Sequence, residues 1–137
     1  MQFLMTVKSD ARQTPPTPEL MAAIGTLTEK AMKSGVMLQT GGMQMDSAAT
    51  RMRLAGGKVS AVDGPFAESK ELVGGYALVE VKSREEALAL AREFLEVHAR
   101  AMGPGYAMES EILEMFPFAG IGLKATTPQP QGSAGRP

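Results

Sequence analysis

The feature that most constrains this chain's fold is the junction of an alternating run, Val73 to Val81, with the tetrapeptide Ser83-Arg84-Glu85-Glu86. Ala77, Val79 and Val81 fall on one side of a period-two segment, and Tyr76 and Leu78 fall on the other. A strand with apolar groups on both faces belongs in the middle of a sheet, not at its edge. Ser83 followed three residues later by Glu86 is a capping box, so a helix starts almost at once. Its stripe is expected to comprise Ala87, Leu88, Ala91, Phe94 and Leu95. Gly103-Pro104-Gly105 closes that helix, and Ala107 to Phe116 reads as a final strand.

The first half repeats this grammar. Phe3, Met5 and Val7 alternate with Gln2, Thr6 and Lys8, which predicts an opening strand with Leu4 as an apolar exception on its second face. Thr17 and Pro18 suit the N-cap and first position of a helix along which Leu20, Ile24, Leu27 and Ala31 recur, and Gly35 is placed to end it. Val36 and Leu38 are apolar at even positions, Met43 and Met45 at odd ones. A bulge or bend is therefore expected at Gly41-Gly42 between them. Arg51 to Ala55 and Lys58 to Val62 flank Gly56-Gly57 as the arms of a hairpin that delivers the chain to Asp63.

The resulting order is strand, helix, strand, hairpin, strand, helix, strand: an α+β, ferredoxin-like βαββαβ frame with an inserted β-hairpin. Two helices cover only one face of such a sheet. The other would expose Leu4, Tyr76 and Leu78, so a second subunit packed sheet to sheet is expected and the chain should be a two-fold homodimer. With 137 residues there is room for one core. The expected division is a folded domain over 1–118 and a disordered tail over 119–137, where Pro, Gly, Thr, Gln and Ser dominate.

Composition narrows the function classes. A formal charge of -1 offers no footprint for a phosphate backbone, so no direct nucleic-acid partner is expected. The chain shows neither a secretory leader nor an apolar run that spans a bilayer, which makes a cytoplasmic protein without membrane association the expectation. No cysteine and one histidine leave no two-His or thiolate pattern for a metal, and the paired glycines match no phosphate or dinucleotide loop. No cofactor is expected. Eleven methionines against no tryptophan have two readings, an adaptable core and a Met-lined ligand cavity.

Asp63-Gly64-Pro65-Phe66-Ala67-Glu68-Ser69-Lys70-Glu71 joins turn chemistry to three carboxylates and an ammonium. With Gly74-Gly75-Tyr76 it resembles the DGPFAE(T/S)KE and GG(F/Y) segments of the DGPF-domain, YCII-related proteins. Phe94-Leu95-Glu96-Val97-His98 and Gly103-Pro104-Gly105 resemble a subgroup of them. The resemblance, running from Met1 to Phe118, implies a dimeric α/β barrel in a family whose members mostly lack an assigned reaction. It also implies, for some members, a gene neighbour encoding an extracytoplasmic-function sigma factor. Two features depart from it. Glu111-Ile112 is followed by Leu113 where relatives often carry Arg, and the early His paired with an Asp in YCII-type relatives is missing, since His98 is the sole histidine.

Each candidate side chain carries a structural and a chemical reading. Asp63 and Glu68 are an acid and a base if the turn folds them over one cavity, and an Asx-type turn with a solvated Glu68 if it does not. Phe66 anchors the turn or stacks on a ligand, and Lys70 meets an anionic substrate or solvent. His98 caps carbonyls near a helix C-terminus or serves as general base. Tyr76 donates a hydrogen bond to a ligand or fills a dimer interface. These residues describe a homodimer that binds or transforms a small polar organic molecule in a cleft near Asp63. If catalytic, it would use cofactor-free acid–base chemistry with Asp63 or His98 as base and Tyr76 or Lys70 steadying negative charge. The alternative is a non-catalytic sensor or interaction module, with a sigma factor as partner.

Overall fold

The structure is a computed structural model that describes residues 1–9, 15–43, 50–64 and 73–116. Its elements are β1 (Gln2–Ser9), α1 (Pro18–Lys33), β2 (Met37–Gly42), β3 (Thr50–Ala55), β4 (Lys58–Asp63), β5 (Val73–Glu80), α2 (Arg84–Met102) and β6 (Met108–Glu114). An antiparallel sheet runs in the order β2-β5-β1-β6, and β3 pairs with β4 as a separate two-stranded sheet. This is the ferredoxin-like α+β architecture with an inserted hairpin. The tail and the segment from Pro65 to Leu72, with Phe66, Glu68 and Lys70, lie outside the described residues.

Local chemistry sets the helix ends. The Thr17 hydroxyl accepts the Leu20 amide at 3.1 Å, and Pro18 occupies a position whose N–H would have no helical partner. At the other end Gly35 takes φ of 82°, so that Gly35 N–H reaches Met32 O and Val36 N–H reaches Ala31 O, both at 3.1 Å. These paired bonds form a Schellman motif, and the positive φ explains the glycine. In α2, Ser83 Oγ accepts Glu86 N–H at 3.2 Å. The returning Glu86 carboxylate accepts from Lys82 N–H, one residue before the cap, at 2.9 Å.

The core lies between the helices and one face of the sheet. Phe3 and Val79 pair across β1 and β5, both fully buried, and meet Ala87 and Ala91 of α2, whose small side chains admit close helix–sheet approach. The buried stripe of α2 is turned relative to the expected one. Leu88 is 43% exposed, whereas Ala87, Ala91, Val97 and His98 are buried. Counted from Ala87 these buried residues lie at i, i+4, i+10 and i+11, with half-buried Phe94 at i+7, and this side of the helix faces the core.

The parity change in β2 is present, but at a different place from the one expected. Leu38 and Gln39 together stand opposite Leu78, so the bulge falls before the glycines, while Gly41 and Gly42 pair in register with Tyr76 and Gly75. The extra residue lets Met37 and Thr40 both face the helices. In the hairpin, Gly56 and Gly57 have φ of 58° and 77°, which suits a tight primed turn. The register puts Met52, Leu54, Val59 and Ala61 on one face and Arg51, Arg53 and Lys58 on the other, all exposed.

On the sheet face turned from the helices, Leu4 stands opposite Leu78 and Leu113. Thr6 is buried beside Tyr76 and Glu111, and its Oγ1 has no hydrogen-bond partner among the described residues. Lys8 and Glu111 approach to 3.5 Å on the same face.

Candidate functional site

A cavity of about 500 Å³ lies between the two helices and the inner face of the sheet. Met5, Val7 and Ala77 contribute to its floor, Ile24 and Leu27 of α1 to one wall, and Phe94 and His98 of α2 to another. It exists because the facing positions are small or flexible. Gly42 and Gly75 pair on adjacent strands and put bare backbone at the surface, and Ala31, Ala77 and Ala91 add little more than a methyl group. Ser9, Thr28, Thr40 and Ser110 supply hydroxyls, and none of the described lining residues is Asp, Glu, Lys or Arg. Its size is within the usual range of small-molecule sites, roughly 300–1,000 Å³. A hollow of about 590 Å³ along Glu85, Leu88, Arg92 and Glu96 is formed by the outer side of α2 alone, and one convex helix does not enclose a ligand.

His98 is the titratable group of greatest chemical interest in this wall. It is only 7% exposed, and its Nδ1 lies 2.9 Å from the Phe94 carbonyl one turn back. A carbonyl can only accept, so Nδ1 carries the proton of the neutral ring and Nε2 keeps the in-plane lone pair. Two rings hold the imidazole in place. Phe94 is tilted by 57° at 4.6 Å between centroids, and Tyr106 is stacked within 21° of parallel at 6.1 Å.

Tyr106 reaches His98 because of the chain's turn after α2. Gly103 ends the helix with φ of 84°, its N–H donating to Ala99 O at 3.1 Å, and Tyr106 N–H donates back to Gly103 O at 3.3 Å. Gly103-Pro104-Gly105-Tyr106 is thus a turn with proline at its second position. Reading the residues for chemistry alone missed Tyr106. The signal was a glycine-proline-glycine turn placed five residues after a helical histidine.

The other candidates separate. Tyr76 borders the same cavity as His98, but its alternation with Ala77 turns the ring to the opposite side of the sheet, against Gly41. Thr40 Oγ1 donates to the Tyr76 carbonyl at 2.8 Å and ties this strand pair together. Asp63 is not among the residues that line the cavity. It is exposed at the open end of the hairpin, where it accepts a 2.8 Å hydrogen bond from the Thr50 hydroxyl. Among the described residues no three His, Cys, Asp or Glu side chains converge as metal ligands, and no helix is long and apolar enough to cross a membrane.

A four-stranded antiparallel sheet carrying two helices on one face, with a ligand-sized hollow between the layers, defines the class: a ferredoxin-like α+β domain with an internal cavity. The family profile of the YCII-related domain matches residues 1–115, and the chain belongs to that family. An uncharacterised protein of Rhizobium meliloti (strain 1021) is 31% identical over 74 residues, which cover 54% of this chain and 60% of the relative. The matched region is thus less than two thirds of that relative's length.

Proposed function

We propose that this YCII-related domain binds a small organic molecule in the cavity between its helices and sheet, with His98 as the group that receives a proton or hydrogen bond from it. The observation that carries the reading is the buried imidazole in the cavity wall, whose Nδ1 is committed to the Phe94 carbonyl. A proton taken by Nε2 would leave an imidazolium whose other N–H is already bonded and whose faces meet the rings of Phe94 and Tyr106. Asp63 has no part in this arrangement.

A thermal-shift screen of small metabolites on the wild type and on Gly42→Leu tests the reading. A Cβ on Gly42 meets nothing closer than Gly74 O at 3.8 Å, so the leucine enters the cavity without backbone collision. Compounds that stabilise the wild type should lose their effect on Gly42→Leu and keep it on Asp63→Asn. Equal responses in wild type and Gly42→Leu would remove the cavity from consideration.

The reading includes a homodimer formed through the outer sheet face, supported by Leu113, 50% exposed, beside half-buried Leu4 there; Leu78, expected to be exposed on this face, is already buried within the chain and adds no support. Sedimentation at micromolar concentration should give twice the chain mass, and a monomer counts against it. A second reading, an interaction module with a sigma factor as one candidate partner, is favoured by the hairpin, where Leu54 is 72% and Met52 67% exposed on one apolar face. Under that reading Leu54→Ser abolishes partner capture; under the ligand reading it leaves the thermal-shift responses intact.

A further inference from the structure

We infer that the cavity selects a flat aromatic molecule bearing a hydroxyl and no net charge, a class that rests on the reading of this hollow as a ligand site. Three features point the same way. Met5, Met21, Met37 and Met108 bring thioethers to the lining, and a flexible, polarisable sulfur packs favourably against the edge or face of an aromatic ring. Phe94 and Tyr106 frame His98, so that the polar end of the site is itself bordered by aromatic surface.

The second feature is the histidine tautomer. Nδ1 donates to the Phe94 carbonyl, which makes the opposite ring nitrogen an acceptor and asks the ligand for a donor. A phenolic or enolic hydroxyl is such a donor, whereas an ether or ketone at the same place is not. The third is the character of the remaining lining. The described residues offer hydroxyls from Ser9, Thr40 and Ser110 but no cationic side chain for an anion and no carboxylate for an ammonium. A buried charge without a partner is disfavoured far more than a neutral hydroxyl.

The bicyclic phenol 2-naphthol is a suitable probe, with naphthalene-2-carboxylate and 2-methoxynaphthalene as its charged and donor-free analogues. Methionine-methyl NMR on the full chain reports where each binds. Met5, Met21, Met37 and Met108 border the cavity, while Met52 on the hairpin and Met115 after β6 do not and act as internal controls. 2-Naphthol should move the four cavity methyls by ring-current shifts and leave the two controls, and Gly42→Leu should abolish the effect. Loss of the hydroxyl donor should weaken binding about three- to tenfold. The carboxylate should bind about a hundredfold more weakly.

A carboxylate that binds as tightly as 2-naphthol overturns the neutral-ligand assignment, and an equally tight methoxy analogue overturns the role of His98 as acceptor. If no arene moves the cavity methyls but a non-aromatic compound from the metabolite screen does, the aromatic class is wrong and the cavity remains the site. If no compound of either kind moves them, both readings fall.

Discussion

Gly41 lies directly against the ring of Tyr76: a Cβ built on Gly41 would stand 2.9 Å from Tyr76 Cε1. The two residues pair across β2 and β5, so the ring folds over the neighbouring strand where a side chain would otherwise project. Gly41→Ala should therefore displace the ring and destabilise the domain by roughly 1–3 kcal/mol, as overpacking does. Urea unfolding of Gly41→Ala, Tyr76→Ala and the double variant checks it. The two effects should be strongly non-additive, because the alanine at 41 has nothing to strike once the ring is gone.

Phe3 is the side chain on which the two layers depend most. It is fully buried in β1, which pairs with both β5 and β6, and it packs against α2 through Ala87 and Ala91. Phe3→Ala should cost about 3–5 kcal/mol in equilibrium unfolding. Val59→Ser on the exposed hairpin should change stability by no more than about 0.5 kcal/mol.

The cap of α2 predicts a smaller, separable effect. Ser83→Ala frees the Glu86 amide that it now accepts and should cost about 1 kcal/mol. Glu86→Gln keeps an oxygen for the Lys82 amide and should cost less than Ser83→Ala in the same denaturant titration.

Acid should weaken the β1–β5 end of the sheet slightly. The Glu80 carboxyl is held below its ordinary value of 4.5, first by a hydrogen bond from the Met1 ammonium at 2.8 Å and then by one from the Gln2 side chain. A carboxyl with a depressed folded-state pKa stabilises above its unfolded value and loses that contribution as pH falls through the folded value. The effect is therefore present above 4.5 and fades below it. Since Glu80 is exposed, it should be small and screened by salt. Denaturant midpoints of the wild type should fall more steeply with acid than those of Glu80→Gln, with the difference shrinking at high salt.

Much of this architecture was legible in the residues because short-range chemistry sets it. Thr17 with Pro18, Gly35, Ser83 with Glu86, and Gly56-Gly57 each dictate a local geometry that tertiary packing did not override. The β2 bulge was legible as a parity conflict but not in position. Only the pairing with β5 decides whether Leu38 or a glycine is the extra residue, and the close fit of Gly41 to Tyr76 keeps that stretch regular. The placement of His98 was less legible. Near the end of a helix an imidazole serves equally well as a solvent-facing cap, although His98 follows Ala87, Ala91 and Phe94 by eleven, seven and four residues and so continues their stripe into the core. Asp63 stood out by its motif, yet its described contact is with Thr50 across the hairpin, a relation that depends on strand register.

The central claim, that His98 presents an acceptor to the cavity, has a direct test because the chain contains one histidine. Two-dimensional correlation of the imidazole nitrogens with the ring protons, at a pH where the ring is neutral, assigns the tautomer without ambiguity. The Phe94 contact predicts a protonated Nδ1 and an unprotonated Nε2, with a hydroxyl-bearing ligand moving the Nε2 resonance and leaving Nδ1 in place. A ring protonated at Nε2, or an Nε2 resonance indifferent to every ligand that occupies the cavity, would contradict it.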